Sequence, residues 1–275
     1  MTIILAFFIF VLGSAIGSFL SVVIHRMREN KKGIFLSRSV CPHCNTKLKA
    51  RHLIPVFSFI FLKGKCAYCK KTISKSYILI ELITGLLFLL TFTKFNFLIV
   101  EPSSINAFFT NYLIDWLVFE QFLIYCVLFS FLVAILFYDT LYQEIPDQFS
   151  LPAITIAIVN SIIIGTPSTV DMVIGAITFF AFFGIQIIIS KGQWIGGGDL
   201  RMGILIGALF GIKFGLMALM LAYLIGAIVS VVLIIIGKAG TKTKIAFAPF
   251  LISGILLTIF LGNEIYAFYL NTILY

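Results

Sequence analysis

The chain has 275 residues, of which 61% are hydrophobic and only 11% are charged. Soluble domains carry about 25% charged residues, so this composition excludes an ordinary soluble fold and predicts a membrane protein. The formal net charge is +9. Membrane topology and attraction to acidic lipid headgroups account for it, and we predict no nucleic-acid partner.

Apolar runs near the roughly 20 residues that cross a lipid bilayer recur along the chain. They predict an all-α polytopic membrane protein with about eight transmembrane helices. The first run has no basic segment before it and no small-residue cleavage site after it, so we interpret it as a retained helix. In chain order the runs are Thr2 to Ile24, Tyr77 to Thr93, Trp116 to Tyr138, Leu151 to Gly165, Met172 to Ser190, Leu200 to Gly211, Phe214 to Gly237 and Ile245 to Leu261. The Leu200 to Gly211 run is shorter than a typical transmembrane helix, so the predicted number of helices could differ by one.

Basic residues predict the orientation of these helices. Of 20 lysines and arginines, 13 lie between Arg26 and Lys75, and the positive-inside rule assigns that segment to the cytoplasm. We therefore divide the chain into a first transmembrane helix (1–25), a cytoplasmic segment (26–76) and a multi-helix membrane domain (77–275). If successive helices cross the membrane in opposite directions, three later loops are also cytoplasmic: Asp139 to Asp147, Lys191 to Arg201 and Lys238 to Lys244.

The cytoplasmic segment holds four of the five cysteines, in two C-x-x-C pairs. This paired spacing is typical of a tetrahedral zinc site, and four sulfur ligands would leave no open position, which indicates a structural role. Two disulfides or free thiols are the alternatives, although disulfides do not persist in a reducing cytoplasm. His43 and His52 are alternative ligands nearby. The predicted ligands are Cys41, Cys44, Cys66 and Cys69.

Two aspartates stand at the cytoplasmic ends of predicted helices, Asp139 in YDTLYQEIPD and Asp199 in GGGDLRMG. Ionisable groups at such positions are costly and are candidates for function. Two aspartates at one depth can meet, although they are far apart in sequence. Like-charge repulsion then favours a state in which one is ionised and the other holds a proton. Such a pair can activate water and protonate a leaving amine.

Other interpretations of these acids stay open. Asp199 could cap a helix or pair with Arg201 or Lys191. Asp147, which follows Pro146, is a better candidate for a helix cap than for catalysis. A proton- or ion-coupled transporter would also use membrane-edge acids, and a nonenzymatic scaffold would explain the cysteines but not the aspartates.

Three glycines, Gly196, Gly197 and Gly198, precede Asp199. Glycine permits positive φ angles and close approach of another chain, so we predict that an extended substrate backbone approaches here. A phosphate loop is the rival interpretation, but neither of its usual glycine motifs is present.

Five stretches together resemble the type IV prepilin peptidases, which are membrane aspartic proteases of the GxGD type. They are GSAIGSFLSVVIHR, the double C-x-x-C segment ending in LKGKCAYCKKTISKSYILIELITG, YDTLYQEIPD, GGGD and FAPFLISG, and they span nearly the whole chain. On this resemblance Asp139 and Asp199 are the catalytic residues, with Gly196 and Gly198 as the GxG. Arg201 stands where the family commonly has lysine, and Ala248 where glycine is more usual.

The resemblance implies a specific reaction. Members of the family cleave the leader of prepilins or pseudopilins after a glycine, at the cytoplasmic face of the bacterial plasma membrane. Many then methylate the new N-terminus with S-adenosylmethionine, and the cysteine-rich segment is associated with that bifunctional form. A peptidase without methyltransferase activity is the nearest alternative. The sequence identifies no residues for the methyl donor.

Overall fold

The structure is a computed structural model. It describes residues 2–29, 39–41, 43–101, 111–238, 240, 243 and 245–273. Residues 30–38 and 42 of the predicted cytoplasmic segment lie outside the described residues. The same holds for most of the predicted loop at 238–244 and for residues 274–275 of the predicted membrane domain.

Helices dominate the described residues. Seven of them are long and apolar enough to cross a membrane, which confirms the predicted all-α membrane fold. A two-stranded antiparallel ribbon, in which Leu98 lies opposite Ile114, joins two of the long helices and was not predicted. The elements are α1 (Thr2–Arg28), a 3-10 turn (Ala50–His52), α2 (Phe57–Phe61), α3 (Lys75–Lys94), β1 (Leu98–Glu101), β2 (Asn111–Ile114), α4 (Trp116–Tyr142), α5 (Asp147–Ile164), α6 (Thr169–Ser190), α7 (Gly197–Ile235) and α8 (Ala248–Ile273).

Residues 1–134 form one compact unit, in which α1 packs along α3. Small residues line this contact, because a Cβ at Gly17 would lie 2.8 Å from the Cα of Glu81 and one at Gly13 would lie 2.8 Å from the Phe88 side chain. Helices in lipid associate through such close packing, since lipid gives no hydrophobic drive between them. An apolar cluster containing Phe92, Phe97 and Phe122 covers one end of the pair.

Residues 135–275 form the second unit, in which α7 packs against α5, α6 and α8. Large apolar side chains such as Ile188 and Ile235 are more than three quarters exposed. In a membrane helix these are the side chains that face lipid. The last helix continues to Ile273, twelve residues past the predicted end at Leu261, because Glu264 interrupts the apolar run without interrupting the helix.

The chain reverses direction inside α7, at Gly211. A Cβ added at Gly203 or at Gly215 would in both cases contact Phe179. In a straight helix these two glycines would be about 18 Å apart and could not share that neighbour. The predicted runs Leu200 to Gly211 and Phe214 to Gly237 therefore correspond to two antiparallel parts of one continuous element.

Asp171 holds this reversal in place. Gly211 has φ 63° and ψ −158°, a conformation that is essentially restricted to glycine. The backbone N–H of Ile212, which starts the second part of α7, donates to Asp171 Oδ1 at 3.1 Å. The Asp171 carboxylate also occupies the space that a side chain at Gly211 would need.

Replacing Gly211 by alanine should therefore strongly destabilise the protein. Gly165→Ala is the matched control, because Gly165 also has a positive φ, 73°, but has open space around its Cα. We expect Gly165→Ala to cost about 1 kcal/mol and Gly211→Ala at least about 3 kcal/mol, because backbone strain and steric overlap add. Thermal unfolding in detergent measures both. Equal melting temperatures for the two variants would contradict the assigned role of Asp171.

Candidate active site and metal centre

Asp139 lies in the last turn of α4 and is only 6% exposed. Its Oδ2 accepts a hydrogen bond from the backbone N–H of Ala248, at 3.0 Å. Ala248 is fully buried and begins α8, so this N–H is one of those that a helix start leaves without an internal partner. The positive end of the α8 dipole therefore faces the Asp139 carboxylate.

Asp199 lies in the first turn of α7 and is half-buried. Its Oδ2 accepts the backbone N–H of Gly196 at 3.2 Å, while its own N–H donates to the Gly196 carbonyl at 3.1 Å. The first bond is the one that the third helical residue makes in a capping box, and the second is a backbone bond of the turn, because Gly196 has no side chain. Asp199 therefore has a capping role, from the third helical position. A single N–H leaves most acceptor sites of the carboxylate available.

The two carboxylates are close enough for their charges to interact. They come from α4 and α7, so the fold brings together the two acids that the sequence places 60 residues apart. A pair of interacting carboxylates binds protons jointly and can hold one acid and one base side by side. The arrangement is thus compatible with the predicted catalytic pair.

The first turn of α7 is tied to the loop that follows Asp139. Arg201 forms an ion pair with Asp147 and donates to the Ile145 carbonyl at 3.2 Å and to Ser150 Oγ at 3.3 Å. Gly198 packs against the same loop, because a Cβ there would lie 2.6 Å from the Cβ of Ile145. These contacts fix the backbone on which Asp199 is mounted.

The three glycines differ in their surroundings. A Cβ at Gly196 or Gly197 would meet open space, whereas Gly198 is in close packing. None of the three has a positive φ, so the conformational freedom of glycine is not used at these positions. Close approach to the Ile145 loop requires a glycine at Gly198, while the open side at Gly196 and Gly197 is compatible with the predicted approach of a substrate.

The four predicted metal ligands come together in the first unit. Their sulfur atoms all lie within 4.8 Å of one another, and the Sγ atoms of Cys41 and Cys69 are 3.9 Å apart. Cys41 and Cys66 are both 2% exposed. The cluster can therefore hold a metal ion.

The two C-x-x-C pairs have the same backbone design. In the first, Cys41 N–H donates to the Thr46 carbonyl at 3.1 Å, and in the second, Cys66 N–H donates to Lys71 at 2.9 Å. A residue with positive φ follows each pair, Asn45 at 53° and Lys70 at 60°. Two equivalent turns thus each present two thiols to a common centre.

Hydrogen bonds favour ionised sulfur at Cys44 and Cys66. Hydrogen bonds from the side chain and backbone of Thr46 lower the pKa of Cys44 to about 6. The pKa of Cys66 is also lowered, chiefly by a hydrogen bond to the backbone of Cys69. Thiolates are the form that binds metal, so these two cysteines favour the metal-binding form, whereas the pKa of Cys69 is raised to about 11.

Glu81 links the cysteine segment to the membrane helices. This carboxylate on α3 is 8% exposed and accepts the backbone N–H of Val56 at 2.7 Å and a side-chain hydrogen bond from Ser18 on α1. Val56 has φ 62°, a strained angle for a β-branched residue. Glu81 thus fixes the loop before α2 against the α1–α3 pair.

Known proteins resemble both units. Residues 11–95 match the family described as Bacterial Peptidase A24 N-terminal domain, and residues 126–231 match the Type IV leader peptidase family. The prepilin leader peptidase/N-methyltransferase of Stutzerimonas stutzeri is 28% identical over 95% of this chain and 92% of its own length. The type 4 prepilin-like proteins leader peptide-processing enzyme of Escherichia coli O78:H11 is 30% identical, over 71% of this chain and 73% of its own. The chain belongs to the type IV leader peptidase family.

A relative from Bacillus subtilis also matches nearly the whole chain. The prepilin leader peptidase/N-methyltransferase of Bacillus subtilis is 27% identical over 96% of this chain and 97% of its own length. No solved structure matches the chain. The similarity therefore covers the cysteine segment and both aspartate motifs together.

Three groups near the aspartates were not predicted from the sequence. The N–H of Ala248 is a backbone group and has no residue signature. Tyr223 is close enough to Asp199 for an electrostatic interaction and shares a side-chain hydrogen bond with Gln186. Gln186 did carry a signal, because it is an amide within the apolar run of α6, and polar groups inside membrane helices are functional candidates.

The packing of Gly198 predicts a difference between adjacent glycines. Gly198→Ala should lower the melting temperature, because overpacking against Ile145 costs about 1–3 kcal/mol. Gly197→Ala, the matched control, should leave the melting temperature unchanged or raise it, since the position is open and alanine favours helix. Thermal unfolding of the two variants in detergent compares them. A Gly198→Ala protein as stable as Gly197→Ala would rule out the close contact.

Proposed function

We propose that this protein is a membrane aspartic endopeptidase that cleaves the leader peptide of type IV prepilins or pseudopilins after a glycine. The observation that carries the proposal is the pair of interacting carboxylates, Asp139 and Asp199, at the ends of two membrane helices. Membership of the type IV leader peptidase family and the names of the full-length relatives support the choice of substrate.

The proposed mechanism uses both aspartates and one water molecule. The ionised carboxylate removes a proton from water, and the water oxygen forms a bond to the carbonyl carbon of the scissile peptide bond. The protonated carboxyl then donates its proton to the leaving nitrogen as the C–N bond breaks. The leader leaves with a new carboxyl group, the mature pilin with a free amine, and the pair ends with its proton on the other aspartate.

Backbone contacts give each aspartate a fixed position for this chemistry. The N–H of Ala248 orients Asp139, and the capping interaction with Gly196 orients Asp199. Both donors are neutral, so they orient a carboxylate without removing its ability to exchange a proton. The open side at Gly196 and Gly197 would admit the peptide backbone.

The basic segment supports a cytoplasmic active site. With 13 of 20 basic residues between Arg26 and Lys75, the positive-inside rule favours a cytoplasmic location for the cysteine segment and, by alternate threading, for both aspartates. The enzyme would then reside in the bacterial plasma membrane. A substrate with a short basic leader and an apolar helix would present its scissile bond at the same depth.

The cysteine cluster fits zinc. Sulfur ligands about 2.3 Å from one tetrahedral ion lie about 3.8 Å from each other, which agrees with the 3.9 Å between Cys41 and Cys69. Cys41, Cys44, Cys66 and Cys69 would hold Zn²⁺ and leave no open position for a water or substrate. The ion would then stabilise the fold of the segment and take no part in hydrolysis.

The names of the relatives also support a second activity, N-methylation of the new N-terminus. S-adenosylmethionine would supply the methyl group when bound. Its binding residues in this chain remain unassigned.

Replacing either aspartate should abolish cleavage. Asp139→Asn and Asp199→Asn remove the proton-exchanging group while keeping the acceptor for the N–H of Ala248 or Gly196. We expect each to lower kcat by more than about a thousandfold. Asp115→Asn is the matched control, because Asp115 caps α4 at the other end, through Leu117 and Val118. Cleavage of a prepilin by purified protein in detergent is the assay, and activity retained by either variant would sink the mechanism.

Metal analysis tests the cysteine cluster. Purified protein should contain about one zinc per chain, and replacing Cys41 and Cys66 by serine should remove it. Cys126→Ser is the matched control, because Cys126 is buried in α4 outside the cluster. A wild-type protein purified without chelator and free of metal would contradict the site.

Methylation is tested with radiolabelled S-adenosylmethionine. Wild-type protein should transfer label to the cleaved pilin, and the Asp139→Asn variant should transfer none, because it produces no new N-terminus. An unlabelled but correctly cleaved product would identify a peptidase without methyltransferase activity.

A further inference from the structure

A shallow groove of about 480 Å³ lies on the second unit, on the surface of α6 and α7. Phe182, Ile185 and Gln186 of α6 and Tyr223 of α7 line it. Ile185 is 56% exposed and Tyr223 is 39% exposed, so the groove opens onto the outer surface of the helices. In a bilayer, such a surface faces lipid.

Tyr223 connects this groove to both aspartates. It interacts electrostatically with Asp199. Its ring packs against Phe247, with the ring centroids 5.3 Å apart. Phe247 directly precedes Ala248, whose N–H holds Asp139. Tyr223 therefore relates the groove to the proposed catalytic pair, through its interaction with Asp199 and through Phe247 beside Ala248.

The polar groups of the groove are unusual for a lipid-facing surface. Gln186 and Tyr223 share a side-chain hydrogen bond, and Gln186 Nε2 makes a long contact of 3.4 Å to the Phe182 carbonyl. An amide has two N–H donors and a carbonyl acceptor, and a phenol both donates and accepts. The pair therefore keeps hydrogen-bonding capacity for a further partner.

A peptidase that acts on a membrane-embedded substrate at the edge of the bilayer needs such groups. A peptide bond inside a helix must be unwound before water and a catalytic pair can reach it. Unwinding frees backbone N–H and C=O groups, and each costs several kcal/mol in lipid unless it finds a partner. A substrate entering sideways from the lipid would meet Gln186 and Tyr223, of which Tyr223 interacts electrostatically with Asp199.

We propose that Gln186 and the Tyr223 hydroxyl bind the unwound backbone of the apolar part of the substrate next to the scissile bond. Phe182 and Ile185 contact its side chains. This inference rests on the proposed peptidase function and adds a lateral, substrate-binding groove to it. Gln186 and Tyr223 are positioning residues, which act by binding the peptide and not by exchanging its protons.

Two near-isosteric substitutions test the proposal. Tyr223→Phe keeps the ring and removes the hydroxyl, and Gln186→Leu keeps the size and removes the amide. Each should raise KM for a prepilin about tenfold, the loss expected for one hydrogen bond, while kcat stays within about threefold, since the lost contact binds substrate and transition state alike. Tyr266→Phe is the matched control, because Tyr266 contacts Lys213 and Phe214, near the reversal of α7.

Kinetics of the two variants separate the outcomes. A KM equal to the wild-type value in both Tyr223→Phe and Gln186→Leu would overturn the proposal. A fall in kcat without a change in KM would also overturn it, because that result would indicate an effect on the aspartates. A wild-type protein that cleaves no prepilin would instead reject the proposed function itself.

Cross-linking covers the case in which a variant fails to fold. In the Asp199→Asn protein, a prepilin carrying a photoreactive residue within three positions of the scissile bond should cross-link to Phe182 or Ile185. Cross-links exclusively outside the groove would overturn the proposal.

Discussion

Backbone N–H groups at the starts of helices hold the carboxylates on which this architecture depends. Ala248 donates to Asp139, Gly196 to Asp199 and Ile212 to Asp171. A bilayer offers no water to these groups, and a helix start always leaves N–H groups without an intrahelical partner. Each acid therefore satisfies the start of a helix, and the contacts of Asp139 with Ala248 and of Asp171 with Ile212 also fix where two helices meet.

The nature of the donor matters for chemistry as well as for packing. A neutral N–H orients a carboxylate, whereas a guanidinium would hold it as a permanent anion. Arg201 lies within the same region, but its partners are Asp147 and the Ile145 loop. The cation thus stabilises the frame around Asp199, and the two acids keep each other as their electrostatic neighbours. Arg201 therefore stabilises the structure around the site, while Asp199, in the same part of the helix, stays available for the proposed reaction.

Patterns that depend on residue type could be predicted from the sequence, and patterns that depend on backbone geometry could not. Apolar runs located the membrane helices, and C-x-x-C spacing located the cysteine cluster, because both follow from side-chain chemistry. The donor to Asp139 lies 109 residues away and is a peptide N–H, which any residue other than proline could supply. Its position follows from tertiary packing alone.

The glycines show the same limit. Three consecutive glycines before Asp199 indicated a special backbone, yet sequence could not tell that Gly198 is required by Ile145 while its neighbours are open. Likewise, the apolar runs on either side of Gly211 were visible, but the reversal itself depends on Asp171, a residue of another helix. The assignment of Asp139 and Asp199 to catalysis stays a prediction until the asparagine variants are assayed.

The reversal at Gly211 also affects the membrane around the site. The first part of α7, residues 197–210, rises only about 21 Å, whereas the hydrocarbon core is about 30 Å thick. Local thinning of the bilayer is one way in which so short a helix is accommodated. We expect this hydrophobic mismatch to draw the headgroup region toward Asp199. Hydrolysis consumes water, and the deformed lipid would give the solvent a shorter path to the carboxylates.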